Sequence, residues 1–302
     1  MRGAADPRAQ ARNAASARIG RWCYPFMSVV LVTGCSSGFG EAIALAFAER
    51  GDTVVATMRN PDGAPTTLKG RKNVDVAPLD VTDDASRRAA VDEVIRHHGR
   101  IDTLVNNAGI VASASIEDTP EELSRRIFET NYFGPVALIR AVLPILRGQG
   151  GGRIVNVTAI GAILCTPLLG VYCASKHALD CVSAVLDLEG RPFGIRVSSV
   201  LPGQFKTPLL VKATEIVTER YRGIHDTLQA ARAAQAADVL TDLGPVTDAV
   251  LAAATDPIPK PRYLAGIGLA LTVEPSMAEL DRLHALSAQR CGVAQTSEGS
   301  DT

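Results

Sequence analysis

Tyr172 and Lys176 stand four residues apart in Tyr172-Cys173-Ala174-Ser175-Lys176, within a stretch that reads as a helix. Residues at i and i+4 share one helical face, so the ammonium can sit beside the phenol. A tyrosine near pKa ~10 is a poor base at neutral pH until a positive neighbour favours its phenolate. With that help Tyr172 can pass a proton to or from a substrate oxygen. Alone, such a pair is also an ordinary surface helix contact. A second set of residues lies near the start of the chain, where Thr33-Gly34-Cys35-Ser36-Ser37-Gly38-Phe39-Gly40 follows the apolar run Val29–Thr33. Glycines there let the chain turn sharply and bring backbone N–H groups up to a pyrophosphate at a helix N-terminus.

The same letters contain Gly34-Cys35-Ser36-Ser37-Gly38, the GxSxG spacing of a hydrolase nucleophile elbow. That alternative makes Ser36 a nucleophile and needs a downstream acid and histidine, for which His225 and His284 are the late candidates.

Both sets need elements to hold them. Val29–Thr33, Thr53–Thr57, Val74–Leu79, Ile101–Asn106, Arg153–Thr158 and Ile195–Leu201 read as strands, with a looser one at Arg262-Tyr263-Leu264. Helical stretches separate most of them: Glu41–Arg50 carries Ile43, Ala46 and Phe47 on one face, and Val91, Val94, Ile95 and His98 recur at helical spacing. Nearly continuous Val/Ile/Leu strands suit a sheet covered on both faces. Repeated βα units predict an α/β fold with a single doubly wound parallel sheet, helices on both faces and right-handed crossovers. The Ala-rich stretch 208–245 predicts a small helical lid.

Four further stretches complete a pattern. Asn106-Asn107-Ala108-Gly109 ends the fourth strand, Asp80-Val81 follows the third, and Pro202-Gly203 precedes Thr207. Thr130-Asn131-Tyr132-Phe133-Gly134 lies between. With the glycine loop and YxxxK, the chain resembles the short-chain dehydrogenase/reductase family over about residues 28–208. The resemblance implies a Rossmann-like fold and hydride exchange with a nicotinamide dinucleotide. Gly34, Ser36, Ser37, Gly38, Phe39, Gly40, Asp80, Val81, Asn107, Ala108, Gly109, Pro202, Gly203 and Thr207 would line the cofactor. It also implies that Tyr172 is the acid/base, that Lys176 holds the nicotinamide ribose, and that Asn131 supports a water relay to Lys176. Relatives usually form dimers or tetramers through the helices holding Asn131 and Tyr172. Glu121–Leu146 and Tyr172–Glu189 carry enough apolar residues for such faces.

Charge speaks to the choice of dinucleotide. NAD-using relatives place an acid at the end of the second strand, whereas this chain reads Ala56-Thr57-Met58-Arg59-Asn60. Arg59 suits a 2′-phosphate, so NADP(H) is expected over NAD(H). The chain departs from the family at the substrate-polarising serine, thirteen residues before the tyrosine, where Ala159 stands. Three readings follow: Thr158 takes over; the enzyme works slowly or on an activated carbonyl; or the fold has a non-redox, nucleotide-binding role. Val55–Asn60 and Val171–Lys176 look like the hydroxysteroid and retinol dehydrogenase branch, which implies an apolar alcohol, ketone or aldehyde. Its pocket would lie between Leu164–Leu169 and the lid at Pro208–Tyr221.

Composition bounds the rest. The 302 residues carry 46% hydrophobic and 21% charged residues, which excludes wholesale disorder. A net charge of −1 gives no basic field for nucleic acid, and no apolar run approaches a bilayer span. Cys23, Cys35, Cys165, Cys173, Cys181 and Cys291 show no paired spacing and read as small buried hydrophobes of a reducing, cytoplasmic setting. No metal-ligand spacing is present among the histidines, and His97–His98 read as a solvated helix end. Residues 1–26, with five Arg and one acid, are expected to be a flexible arm or an upstream start. One domain then spans 27–290, followed by a polar tail at 291–302.

Overall fold

Strands that are apolar on both faces can be buried only between two layers, and the chain builds that arrangement. The computed structural model describes residues 27–266, apart from 212 and 235–238. The expected arm at 1–26 and tail at 291–302 lie outside the described residues. In chain order the first half holds β1 (Val29–Thr33), α1 (Phe39–Glu49), β2 (Thr53–Met58), β3 (Val74–Pro78), α2 (Asp84–His98) and β4 (Thr103–Asn106). Then come β5 (Ala112–Ser113), α3 (Glu121–Phe128), a π turn at Glu129–Phe133, α4 (Gly134–Gly148), β6 (Gly152–Val157) and α5 (Gly170–Gly190). The chain closes with β7 (Ile195–Pro202), α6 (Pro208–Val211), β8 (Thr214–Glu215), α7 (Arg222–Ala234), α8 (Gly244–Thr255) and β9 (Arg262–Ala265).

Seven strands form one sheet in the order β3-β2-β1-β4-β6-β7-β9, every pairing parallel. The order reverses between β1 and β4, and such a reversal opens a crevice at the carboxyl ends of the strands. Phe47, Ile43, Val246, Val250 and Ala253 pack α1 and α8 on one face. Val91, Val94, Leu138, Val142 and Leu186 pack α2, α4 and α5 on the other. Each such side chain, fully withdrawn from water, contributes about 1.5–3 kcal/mol. The doubly wound expectation holds.

Boundaries differ where side chains intervene. Helix α1 begins at Phe39 rather than Glu41, because Gly38 at φ 63° turns the chain into the helix earlier. Strand β4 begins at Thr103, not Ile101. The Ile101 N–H is donated to Gln149 Oε1, and the Asp102 carboxylate accepts from the Val29 N–H.

The expected lid is corrected in extent and kind. The 208–245 stretch holds the short helix α6, the two-residue strand β8 and helix α7 rather than one helical flap, and α8, which begins where it ends, belongs to the main core. Within this stretch β8 pairs with β5 as a two-stranded parallel sheet, and Leu228 of α7 packs on Leu168. Ile216 N–H donates to Ser113 O (2.8 Å), Thr218 Oγ1 to Asp118 Oδ2 (2.8 Å), and Tyr221 OH to Glu117 Oε2 (2.8 Å). Arg220 closes the latch on Glu117.

A polar ladder crosses the core beneath the crevice. Asn106 Nδ2 donates to Asn156 Oδ1 (2.8 Å), Asn156 Nδ2 to Ser183 Oγ (2.7 Å), and Ser183 Oγ to Leu179 O (2.6 Å). It ties β4, β6 and α5 together at buried positions.

Candidate active site

The crevice floor is set by glycines. Gly34 lies at φ 74°, and a Cβ there would stand 2.8 Å from Ala108 Cα. A Cβ on Gly40 would overlap the Gly34 carbonyl oxygen. The end of β4 clamps this loop: the Asn107 and Ala108 N–H groups donate to Thr33 Oγ1 (2.9 and 3.0 Å), and Asn107 Nδ2 donates to Thr33 O (2.9 Å). Gly38 caps α1 without a side-chain bond, so the first-turn amides are left for an anion. Glu41, the acid in that turn, accepts from Thr67 Oγ1 (2.6 Å). Above the loop, Thr207 and Pro208 face the position a Gly38 Cβ would take (3.7 and 3.5 Å), and Phe205 packs edge-on against Phe39 (5.3 Å). The segment from Pro202 and Gly203 to Thr207 therefore folds over the glycines. A loop shorn of Cβ atoms over an open helix N-terminus fits a pyrophosphate-bridged dinucleotide.

Ser37 is half-buried in this loop and Ser36 is exposed. The hydrolase alternative gains nothing from the arrangement. His225 lies on the lid, its Nδ1 paired with Asp226 Oδ1 (3.1 Å) and its Nε2 with Glu215 Oε1 (3.0 Å). His284 lies outside the described residues.

Arg59 is exposed at the end of β2. Asp80 sits nearby beyond β3, and Val81 is buried against the Gly134 turn of α4. Partial burial pushes the Asp80 carboxyl up. Bonds from the Thr82 amide and hydroxyl outweigh that, as do the charges of Arg59 and Arg87, and hold it below the usual carboxylate range.

The catalytic candidates converge on the first turns of α5. Lys176 is buried, its Nζ donates to Val157 O (3.0 Å), and it stands 5.9 Å from the centroid of the Tyr172 ring. Gly109 makes room for it: a Cβ there would come within 3.5 Å of that Nζ and 3.3 Å of Asn131 Oδ1. Burial pulls the ammonium down to about 8. Burial likewise pushes the Tyr172 phenol up, with the neighbouring Cys173 adding to it. Desolvation is thus the leading influence on the Tyr172 phenol in this cradle, with the Lys176 ammonium 5.9 Å from its ring centroid.

Asn131 is wholly buried in the π turn, and such turns recur at functional sites. Its amide clasps Ile110, accepting from the Ile110 N–H (2.9 Å) and donating to Ile110 O (2.9 Å). It also donates to Ser175 Oγ (3.0 Å), which donates in turn to Tyr172 O (2.7 Å). The side chain expected to support a relay thus fastens the β4 end to the catalytic helix. Ser175 was not singled out by its letters, although its place three residues after Tyr172 was the available signal.

Thr158 does not offer its hydroxyl to the crevice. Both its N–H and its Oγ1 donate to Val200 O (2.8 and 3.0 Å), which counts against its taking the serine's place. Successive residues of an extended strand face opposite sides, and no bulge here reverses that. Ala159 is extended (φ −171°, ψ 165°) and half-buried just past β6. Among the cysteines, Cys35 and Cys173 are buried as expected, whereas Cys165 and Cys181 are exposed. Among the described residues no group of His, Cys, Asp or Glu could hold a metal ion, and no helix is long and apolar enough to cross a membrane.

Comparison with known proteins agrees with this geometry. The family model described as short chain dehydrogenase matches residues 28–217. A 3-ketodihydrosphingosine reductase of Bacteroides thetaiotaomicron is 39% identical over 179 residues, 59% of this chain and 64% of that protein. The chain spans just under two thirds of the length of that reductase and of other curated relatives it matches. A short-chain dehydrogenase from Streptomyces avermitilis superposes with a TM-score of 0.72 at 32% identity, covering 88% of this chain and 94% of that one. A 3-ketoacyl-(acyl-carrier-protein) reductase from Brucella melitensis, complexed with NADH, gives 0.67 at 28% identity, covering 78% and 95%.

Proposed function

The chain belongs to the short-chain dehydrogenase/reductase family, and from that premise we propose that it is an NADP(H)-dependent oxidoreductase that interconverts a secondary alcohol and a ketone, or an aldehyde, on an apolar substrate. The observation that carries this reading is the buried Lys176 beside Tyr172, opening onto a glycine-lined crevice. A bound nicotinamide dinucleotide supplies or takes the hydride. Everything else falls to the chain. Tyr172 is set to give its proton to a carbonyl oxygen in reduction and to take one from an alcohol in oxidation. Lys176, anchored on the Val157 carbonyl, holds positive charge where the phenolate forms. Asn131 and Ser175 fix the distance between them by tying Ile110 to the Tyr172 carbonyl.

Arg59 supports NADP(H): an exposed guanidinium closes β2 where an acid would repel a 2′-phosphate. The sphingoid ketone named for one relative supports an apolar substrate. Phe133 on the π turn, with Val185 and Leu188 on α5, leaves large apolar groups exposed on adjoining helices, which supports a homodimer or homotetramer. A second reading, a nucleotide-binding protein with weak or no redox activity, is favoured by Ala159. NADPH fluorescence on mixing, followed by turnover over a panel of apolar ketones, separates the two. Tyr172→Phe should abolish turnover while leaving NADPH binding intact; unchanged turnover in that variant would overturn the proposal.

A further inference from the structure

Beside the first turns of α5 a cavity of about 420 Å³ is lined by Ile116, Cys165, Pro167, Leu168, Cys173 and His177 among others. Two of these six are thiols, Cys165 exposed and Cys173 buried. They approach closely through the backbone. The Leu169 N–H donates to Thr166 O (3.1 Å) and the Cys173 N–H to Leu169 O (2.8 Å), so one turn and the first turn of α5 lead from Cys165 to Cys173. Burial pushes the Cys173 thiol up, and the charge of Cys165 adds to that. The loop also lies tight against this sulfur at its start: a Cβ on Gly161 would stand 3.3 Å from Cys173 Sγ. The family reading gives no task to either thiol.

We propose that Cys165 and Cys173 are an oxidation site that closes into a disulfide and staples the Ile160–Leu169 loop to the catalytic helix. The oxidant is a hydroperoxide. The exposed Cys165 thiolate attacks the peroxide oxygen, the O–O bond breaks, and the leaving oxygen departs protonated as water or an alcohol. Cys173 sulfur then attacks the Cys165 sulfenic sulfur, the S–O bond breaks, and the thiol proton leaves with the oxygen as water. Two thiols and one peroxide thus give one disulfide, one water and one water or alcohol. Cys173 follows Tyr172 directly, so the staple fixes the loop that begins after Ala159 and borders the expected pocket, and turnover falls.

The test uses the whole protein and reads mass first. Tryptic cleavage after Arg153 and Lys176 releases residues 154–176 as one peptide that carries both thiols and no other cysteine. After hydrogen peroxide and then N-ethylmaleimide, this peptide should be two hydrogens lighter and unlabelled, and dithiothreitol should restore two labels. Cys165→Ser and Cys173→Ala should each block the change. A peptide labelled twice, or one carrying only added oxygen, would overturn the proposal, whatever the enzyme assay shows. In that assay peroxide should lower ketone reduction by wild type and dithiothreitol should recover it. A disulfide that left turnover unchanged would refute the closing of the loop.

Discussion

Ala159→Ser is the most informative single substitution. The alanine is extended and half-buried at the crevice, so a hydroxymethyl group adds no backbone strain. A preorganised donor aimed at a developing oxyanion is worth about 2.7–4 kcal/mol, or roughly 10²–10³ in rate. Thr158 cannot supply this without cost: swinging its hydroxyl from Val200 O gives up a bond worth about 0.5–1.5 kcal/mol. Ala159→Ser should therefore raise kcat for ketone reduction, followed by NADPH fluorescence, by roughly 10²-fold with KM little changed. Thr158→Val should lower stability by about 1 kcal/mol and leave kcat in place. The reverse pattern, a silent Ala159→Ser and an inactive Thr158→Val, would refute the reasoning and return the role to Thr158.

Three other expectations follow from the same geometry. Arg59→Ala should weaken NADPH binding at least about tenfold, from losing a charge-assisted bond, with NADH affinity little changed; equal losses by fluorescence titration would defeat the NADP(H) assignment. The pH profile of kcat for reduction should fall as Lys176 loses its proton near pH 8, since the ammonium is the active form and burial has lowered its pKa; a fall only near the ordinary lysine value would show the group to be solvated. Gly40→Ala should abolish dinucleotide binding and cost at least about 1–3 kcal/mol, because its Cβ overlaps the Gly34 carbonyl; a denaturant midpoint and NADPH titration like wild type would count against the tight loop.

Much of the scaffold was legible because its signals are local. Continuous Val/Ile/Leu runs announce buried parallel strands, and the glycines of the first βα turn announce close backbone approach. The rest depends on contacts that no short window contains. Strands β5 and β8 have two residues each and pair across about a hundred positions, so the lid reads as plain helix and loop. The direction of the Thr158 hydroxyl is decided by Val200, on the neighbouring strand. The upward push on the Tyr172 phenol comes from desolvation, which spacing alone cannot weigh. The alanines of α8 are weakly patterned, and small residues are what allow it to lie against Phe47 and the sheet.

The Asn106–Asn156–Ser183 ladder has a consequence for anyone who would re-engineer this chain. Asn156 accepts from one neighbour and donates to the other in the dry interior, so a lone Asn156→Val swap strands the Asn106 amide nitrogen and removes the donor to Ser183 Oγ, while Asn106 Oδ1 has no partner among the described residues to begin with. Replacing all three by apolar residues of similar shape would be far gentler on the folding equilibrium. What disappears in the triple exchange is the key that indexes the long helix against the sheet. A tougher but less punctual catalyst is the expected product: higher melting, slower turnover, and a blurred preference among substrates.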